Sequence, residues 1–106
     1  MTIGTVESCT GGGVANAIVS IPGSSAYFEG ALVTYSYDIK SKLASVSTET
    51  LEKFGAVSKE TVIEMAEGGK SVLGVDYCVS ISGIAGPDGG TEDKPVGTVW
   101  MAIAYS

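Results

Sequence analysis

No histidine occurs anywhere in the 106 residues. The Ser-His-Asp and Cys-His nucleophile systems are therefore excluded, and the commonest metal ligand is missing. An activated nucleophile in this chain needs another base, and lysine is the realistic candidate. Lys40 falls in the first turn of a predicted helix, close behind Tyr35. There the positive end of the helix dipole disfavours a charged ammonium, and burial would disfavour it further. An amine that is neutral near physiological pH can take a proton from a serine. The nearest candidates along the chain are Ser24 and Ser25, across one predicted strand, with Ser36 too close to its own turn. On spacing alone the plainer reading is favoured: a solvated lysine and two helix-capping serines.

Two further polar groups invite the same weighing. Glu7, Ser8, Cys9 and Thr10 precede three glycines, Gly11 to Gly13. A hydroxyl-rich turn at a helix start either binds an anion or caps the helix. Cys9 at that start is placed for a lowered pKa, but with no base beside it a structural thiol is expected. The third group is the stretch 82–97, which carries five of the fifteen glycines and two of the three prolines. Clustered glycines let a backbone adopt positive φ and approach a ligand with its N–H groups. A loop this long in a small domain is functional or mobile. Asp88, Glu92 and Asp93 lie in it without metal-ligand spacing, so they are expected to be solvated, with no metal and no cofactor.

These groups need elements to position them. Residues 2–6 form a short β-rich run, and Val14, Ala17, Ile18 and Ile21 then repeat at helical spacing up to Pro22-Gly23. Ser24-Ser25 starts a helical turn through Phe28, and Gly30 is expected to open a strand over 31–35. Ser36 or Asp38 begins a helix containing Ile39, Lys40 and Leu43. A small helix over 49–54 ends at Gly55. Ser58 caps the clearest helix, with Val62, Met65, Ala66, Gly69, Val72 and Leu73 as its buried stripe. The apolar runs 75–81 and 98–105 flank the glycine loop and are expected to be buried strands. Alternating strands and helices predict an α/β domain with a largely parallel sheet. Ligands bind such sheets at the carboxyl ends of the strands, where all three polar groups are expected to converge.

Composition limits the partners. The chain has 44% hydrophobic and 17% charged residues, sized for one globular domain. Its net charge is −6, with no Arg, so nucleic acid is not an expected partner. The apolar runs are strand-sized, so neither a membrane span nor a signal peptide is expected, and the expected location is cytoplasmic. Cys9 and Cys78 belong to no metal or redox pattern and are expected to be reduced thiols.

Five motifs occur in order: Glu7-Ser-Cys-Thr-Gly-Gly12; Gly23-Ser-Ser25; Val33-Thr-Tyr-Ser36 with Lys40; Gly55-Ala-Val-Ser58; and Ser82-Gly-Ile-Ala-Gly-Pro-Asp-Gly-Gly90 with Lys94-Pro-Val-Gly-Thr-Val-Trp100. Together they resemble the CinA C-terminal domain family, which includes nicotinamide-nucleotide amidases, over nearly the whole chain. The resemblance implies a three-layer α/β/α sandwich with a mixed, mostly parallel sheet, shortened at both ends. It implies hydrolysis of nicotinamide mononucleotide to nicotinate mononucleotide and ammonia by a serine paired with a lysine. On this resemblance Ser25 is the nucleophile and Lys40 its base, with Tyr35 and Ser8 assisting. Ser8, Thr10, Gly11, Ser82, Gly83, Gly86, Gly89 and Gly90 are the implied substrate-binding positions. Tyr37 departs from the Asn common in the family. The family's helix before the first strand and its arginine-bearing segment after the tryptophan strand have no counterpart here. Lys94 or the loop N–H groups are then the expected phosphate ligands, and a homo-oligomer would cover the bare faces. The competing expectation is a catalytically silent nucleotide-binding or assembly module.

Overall fold

Serine side chains set where three of the helices begin. In the computed structural model, which describes residues 1–106, the hydroxyls of Ser36, Ser47 and Ser58 accept hydrogen bonds from the N–H groups of Ile39, Thr50 and Thr61. Each satisfies a backbone donor that the first helical turn leaves unpaired. The resulting helices are α2 (Tyr37–Ala44), α3 (Thr48–Phe54) and α4 (Lys59–Leu73). A shorter helix, α1 (Gly13–Val19), and a 3-10 turn at Ser24–Ala26 precede them. The strands are β1 (Ile3–Glu7), β2 (Phe28–Val33), β3 (Tyr77–Gly83) and β4 (Val99–Tyr105).

The strands form one sheet in the order β2-β1-β3-β4. β1 runs parallel to both β2 and β3, and β4 closes the sheet antiparallel to β3. This is the mixed, mostly parallel α/β arrangement expected. The core, including Val6, Val46, Leu51, Val62, Met65 and Cys78, lies between the sheet and α4 and extends to α2 and α3, which pack against α4. On the opposite face α1 packs against β1 and β2.

Several boundaries and burials differ from expectation. β2 begins at Phe28, so Gly30 lies inside the strand instead of opening it. Gly30 pairs with Gly4, and the Leu73 side chain lies against both, filling the room that a Cβ at Gly4 would have taken. The apolar stripe expected for α1 contains no fully buried residue: Val14 and Ile18 are half-buried, and Ala17 and Ile21 are exposed. In α4, Val72 turns outward at 57% exposure, while Thr61 joins the buried face. β4 was expected to be buried, yet Met101, Ile103 and Tyr105 are exposed, Tyr105 by 71%. α1 covers only the other half of that sheet face. No helix is long and apolar enough to cross a membrane.

The seating of α4 depends on two adjacent glycines. A Cβ at Gly69 would overlap Val6 Cγ2, and one at Gly68 would overlap the carbonyl of Ala44 in α2. Alanine ordinarily favours a helix interior by ~1 kcal/mol over glycine. Here overpacking costs of ~1–3 kcal/mol or more oppose it, and the obstacle at Gly68 is main chain. Gly68→Ala is therefore expected to destabilise the domain, seen as a lower urea midpoint at unchanged slope.

Candidate active site

Three strands end at one level and are tied there by backbone hydrogen bonds. Thr34 N donates to Glu7 O at 2.7 Å, and Ser8 N donates to Ile81 O at 3.1 Å. The connections after β1, β2 and β3 thus leave the same edge of the sheet, as expected for a ligand crevice. α2 starts directly after β2, so Lys40 in its first turn comes back toward the end of β1.

Lys40 is 1% exposed. Its Nζ lies 3.0 Å from Ser8 Oγ, 2.7 Å from Thr34 O and 3.1 Å from Tyr35 O. The two carbonyls can only accept, so they take two N–H donors from the amine. The third direction faces the Ser8 hydroxyl. An ammonium donates to that oxygen, whereas a neutral amine presents its lone pair and accepts the Ser8 proton. Burial pushes the Lys40 pKa below the ordinary lysine value, against a smaller upward pull from Cys9. No acidic side chain pairs with it, so the neutral form becomes accessible. The arrangement is suited to moving a proton between Ser8 and Lys40.

Ser25 is not part of this group. It lies on the 3-10 turn before β2, exposed and close to Val19, Ile21 and Phe28. Lys40 follows the other end of β2. Six extended residues at ~3.3 Å each separate the two ends of that strand by about 20 Å. Ser8 follows β1, which runs parallel to β2 and therefore delivers it to the same edge as Lys40. The family resemblance points to Ser25; strand direction places Ser8 against the lysine.

The other expected site residues divide into three groups. Tyr35, 75% exposed, lines a cleft with Cys9, Gly83, Gly86, Asp88 and Gly89. Its carbonyl, not its phenol, holds Lys40. Ser82 is buried in β3 opposite Trp100. Thr10, Gly11 and Gly90 serve local structure. Thr10 Oγ1 donates to Glu7 at 2.7 Å, and Gly11 takes φ 57° in the turn after β1. Gly90 sits where a Cβ would press on the backbone of Val96.

Lys94, one of the expected phosphate ligands, donates from Nζ to the carbonyl of Phe54 at 2.5 Å. It pins the glycine loop to the C-terminal end of α3, where a cation complements the helix dipole. Cys78 is fully buried, and burial pushes its thiol up to about 11, leaving it an unreactive core residue. The carbonyl of Thr34 was not anticipated as a site group. Every residue carries a carbonyl, so no residue type signals one that will meet a lysine.

Fold and geometry together define an α/β domain with a serine hydroxyl and a buried lysine amine in contact at the carboxyl edge of its parallel strands. The CinA C-terminal domain model matches residues 1–106, and the chain belongs to that family. It is 58% identical over 103 residues to the nicotinamide-nucleotide amidohydrolase PncC of Escherichia coli K12, covering 97% of this chain and 62% of that protein. It is 60% identical over 102 residues to a CinA-like protein of Petrotoga mobilis, covering 96% of this chain and 25% of that one. The crystal structure of the competence/damage inducible protein CihA of Agrobacterium tumefaciens matches with a TM-score of 0.97 at 45% identity, covering 99% of this chain and 64% of that one. The chain thus spans less than two thirds of the length of these relatives.

Proposed function

We propose that this domain hydrolyses the carboxamide of nicotinamide mononucleotide, giving nicotinate mononucleotide and ammonia, with Ser8 as nucleophile and Lys40 as its base. The observation that carries the reading is the Lys40 amine held against Ser8 Oγ at 3.0 Å. Similarity to a named nicotinamide-nucleotide amidohydrolase supports the choice of substrate.

Neutral Lys40 takes the Ser8 proton as Oγ attacks the amide carbon. The tetrahedral intermediate collapses as the lysine ammonium passes that proton to the departing nitrogen, releasing ammonia and leaving an acyl ester on Ser8. Water, deprotonated by the same amine, then attacks the ester carbon; as the ester C–O bond breaks, the lysine ammonium returns that proton to Ser8 Oγ, and the nicotinic acid product leaves and ionises. Main-chain N–H groups of the glycine loop, which borders the cleft, are the proposed oxyanion donors. The Thr34 and Tyr35 carbonyls hold the amine in place throughout. Tyr35 forms one wall of the substrate cleft.

Ammonia release from nicotinamide mononucleotide tests the proposal. Release by the wild-type chain is the expected result, and none from folded protein refutes it. A second reading is favoured by the exposed apolar strip on β4, a surface suited to covering by another chain. On that reading the domain is an assembly module that binds the nucleotide without turning it over. Binding of the nucleotide by calorimetry with no ammonia formed would select it. On either reading we propose a homo-oligomer, with the β4 face as its contact, and sedimentation should show a mass above that of one chain.

A further inference from the structure

Glu7 is the residue immediately before Ser8, and its carboxylate is fully buried with no cationic partner. Four donors compensate. Thr10 Oγ1 and Val14 N donate to Oε1 at 2.7 and 2.9 Å, and Thr5 Oγ1 and Ala15 N donate to Oε2 at 3.0 and 2.8 Å. Each oxygen therefore takes one hydroxyl and one main-chain N–H. Burial alone would push the Glu7 pKa up, but these hydrogen bonds outweigh it and hold the carboxyl below its ordinary value. The group stays an anion.

Its position explains a gap in local structure. α1 has Gly12 at its N-cap, at φ 99°, and no side-chain cap of its own. Glu7 supplies the missing acceptors from seven and eight residues upstream. Between clamp and helix runs the turn 8–12, which carries Ser8 at one end and two positive-φ glycines at the other. Such a segment has few side-chain restraints and much freedom to lose. The main chain of Glu7 is engaged as well, accepting from Thr34, whose own carbonyl accepts from Lys40.

Resting on the reading of Ser8 as nucleophile, we infer that Glu7 is the positioning residue of the Ser8–Lys40 pair. Its carboxylate ties the glycine turn between β1 and α1, so that Ser8 Oγ stays against the lysine amine, and it does not touch the substrate.

Glu7→Gln is the test, since it keeps shape but replaces one acceptor oxygen with a donor. The two donors facing that nitrogen then lose their partner. kcat for ammonia release is expected to fall on the order of 10²-fold, the scale of a misplaced reacting group, with KM within about twofold of wild type. Thr10→Val, which removes one of the four donors, should give a smaller fall in kcat of the same kind. A merely structural role would lower the folded fraction without this split, so both variants are assayed well below their own melting temperatures. A Glu7→Gln protein with wild-type kcat overturns the inference. Amide hydrogen exchange provides a readout independent of turnover. Protection at Val14, Ala15 and Ser8 should fall in Glu7→Gln, and in Thr10→Val should the first variant not fold. Unchanged protection at Ser8 overturns the inference even in a chain that releases no ammonia. A wild-type chain without ammonia release, but with Ser8 protection that depends on Glu7, refutes only the proposed reaction.

Discussion

Lys40→Met is expected to lower ammonia release by about 10²- to 10⁴-fold, the range over which a positioned general base accelerates a reaction. Methionine has nearly the length and volume of lysine, so the buried channel stays filled and a loss of rate reports the amine itself. Wild-type turnover in this variant would remove Lys40 from the mechanism. The pH dependence follows from the direction of the pKa shift. Burial holds the folded-state value below the ordinary 10.5, so the neutral fraction, and with it kcat/KM, should rise with pH through a window lying under 10.5 and then level off. Stability follows the same proton. Within that window the unfolded chain binds a proton that the folded chain has released, so stability of the wild type increases as pH rises. Below it the folded state bears the full cost of a buried ammonium. Lys40→Met removes that cost, so its melting temperature relative to wild type should be most favourable at low pH and decline toward high pH.

Ser8→Ala should abolish turnover to a comparable or greater extent, on the order of 10³-fold or more, because no acyl ester can form without the hydroxyl. Ser25→Ala should leave kcat and KM within about twofold, since a strand length of about 20 Å separates Ser25 from the lysine. Measured side by side on nicotinamide mononucleotide, the two alanine variants separate the competing nucleophiles. Loss of activity in Ser25→Ala with retention in Ser8→Ala would reverse the assignment. Both changes remove one small polar atom outside the main hydrophobic core, so thermal unfolding should show intact domains in each case.

Which parts of this arrangement were legible in the residues follows from how local each signal is. The caps at Ser36 and Ser58, and the stop at Gly55, are local chemistry and were visible as such. The meeting of the Glu7 turn, the Tyr35–Lys40 segment and the glycine loop followed from alternating strands and helices, because parallel strands share one carboxyl edge. The choice of serine did not. Ser25 is nearer to Lys40 in the chain than Ser8, and only the direction of β2 shows that the intervening residues carry it away. Burial of β4 was misjudged for a similar reason. An apolar strand needs a layer above it, and a run of Val, Trp, Met and Ile does not say whether that layer is present. Thr10 read equally well as an anion ligand or a cap, and it proved to brace the carboxylate that caps α1.

The contact between Gly68 and Ala44 bears on how this sequence can drift. Most tight contacts in a protein interior are negotiable: when one side chain grows, its neighbour can shrink, and lineages trade volume across the pair. At Gly68 the neighbour is a backbone carbonyl, which no substitution at position 44 can make smaller. Relief would require moving α2 as a body, and α2 carries Lys40. Position 68 is thus barred from the usual exchange of volumes, and a glycine distant in sequence is bound to the same fate as the buried lysine.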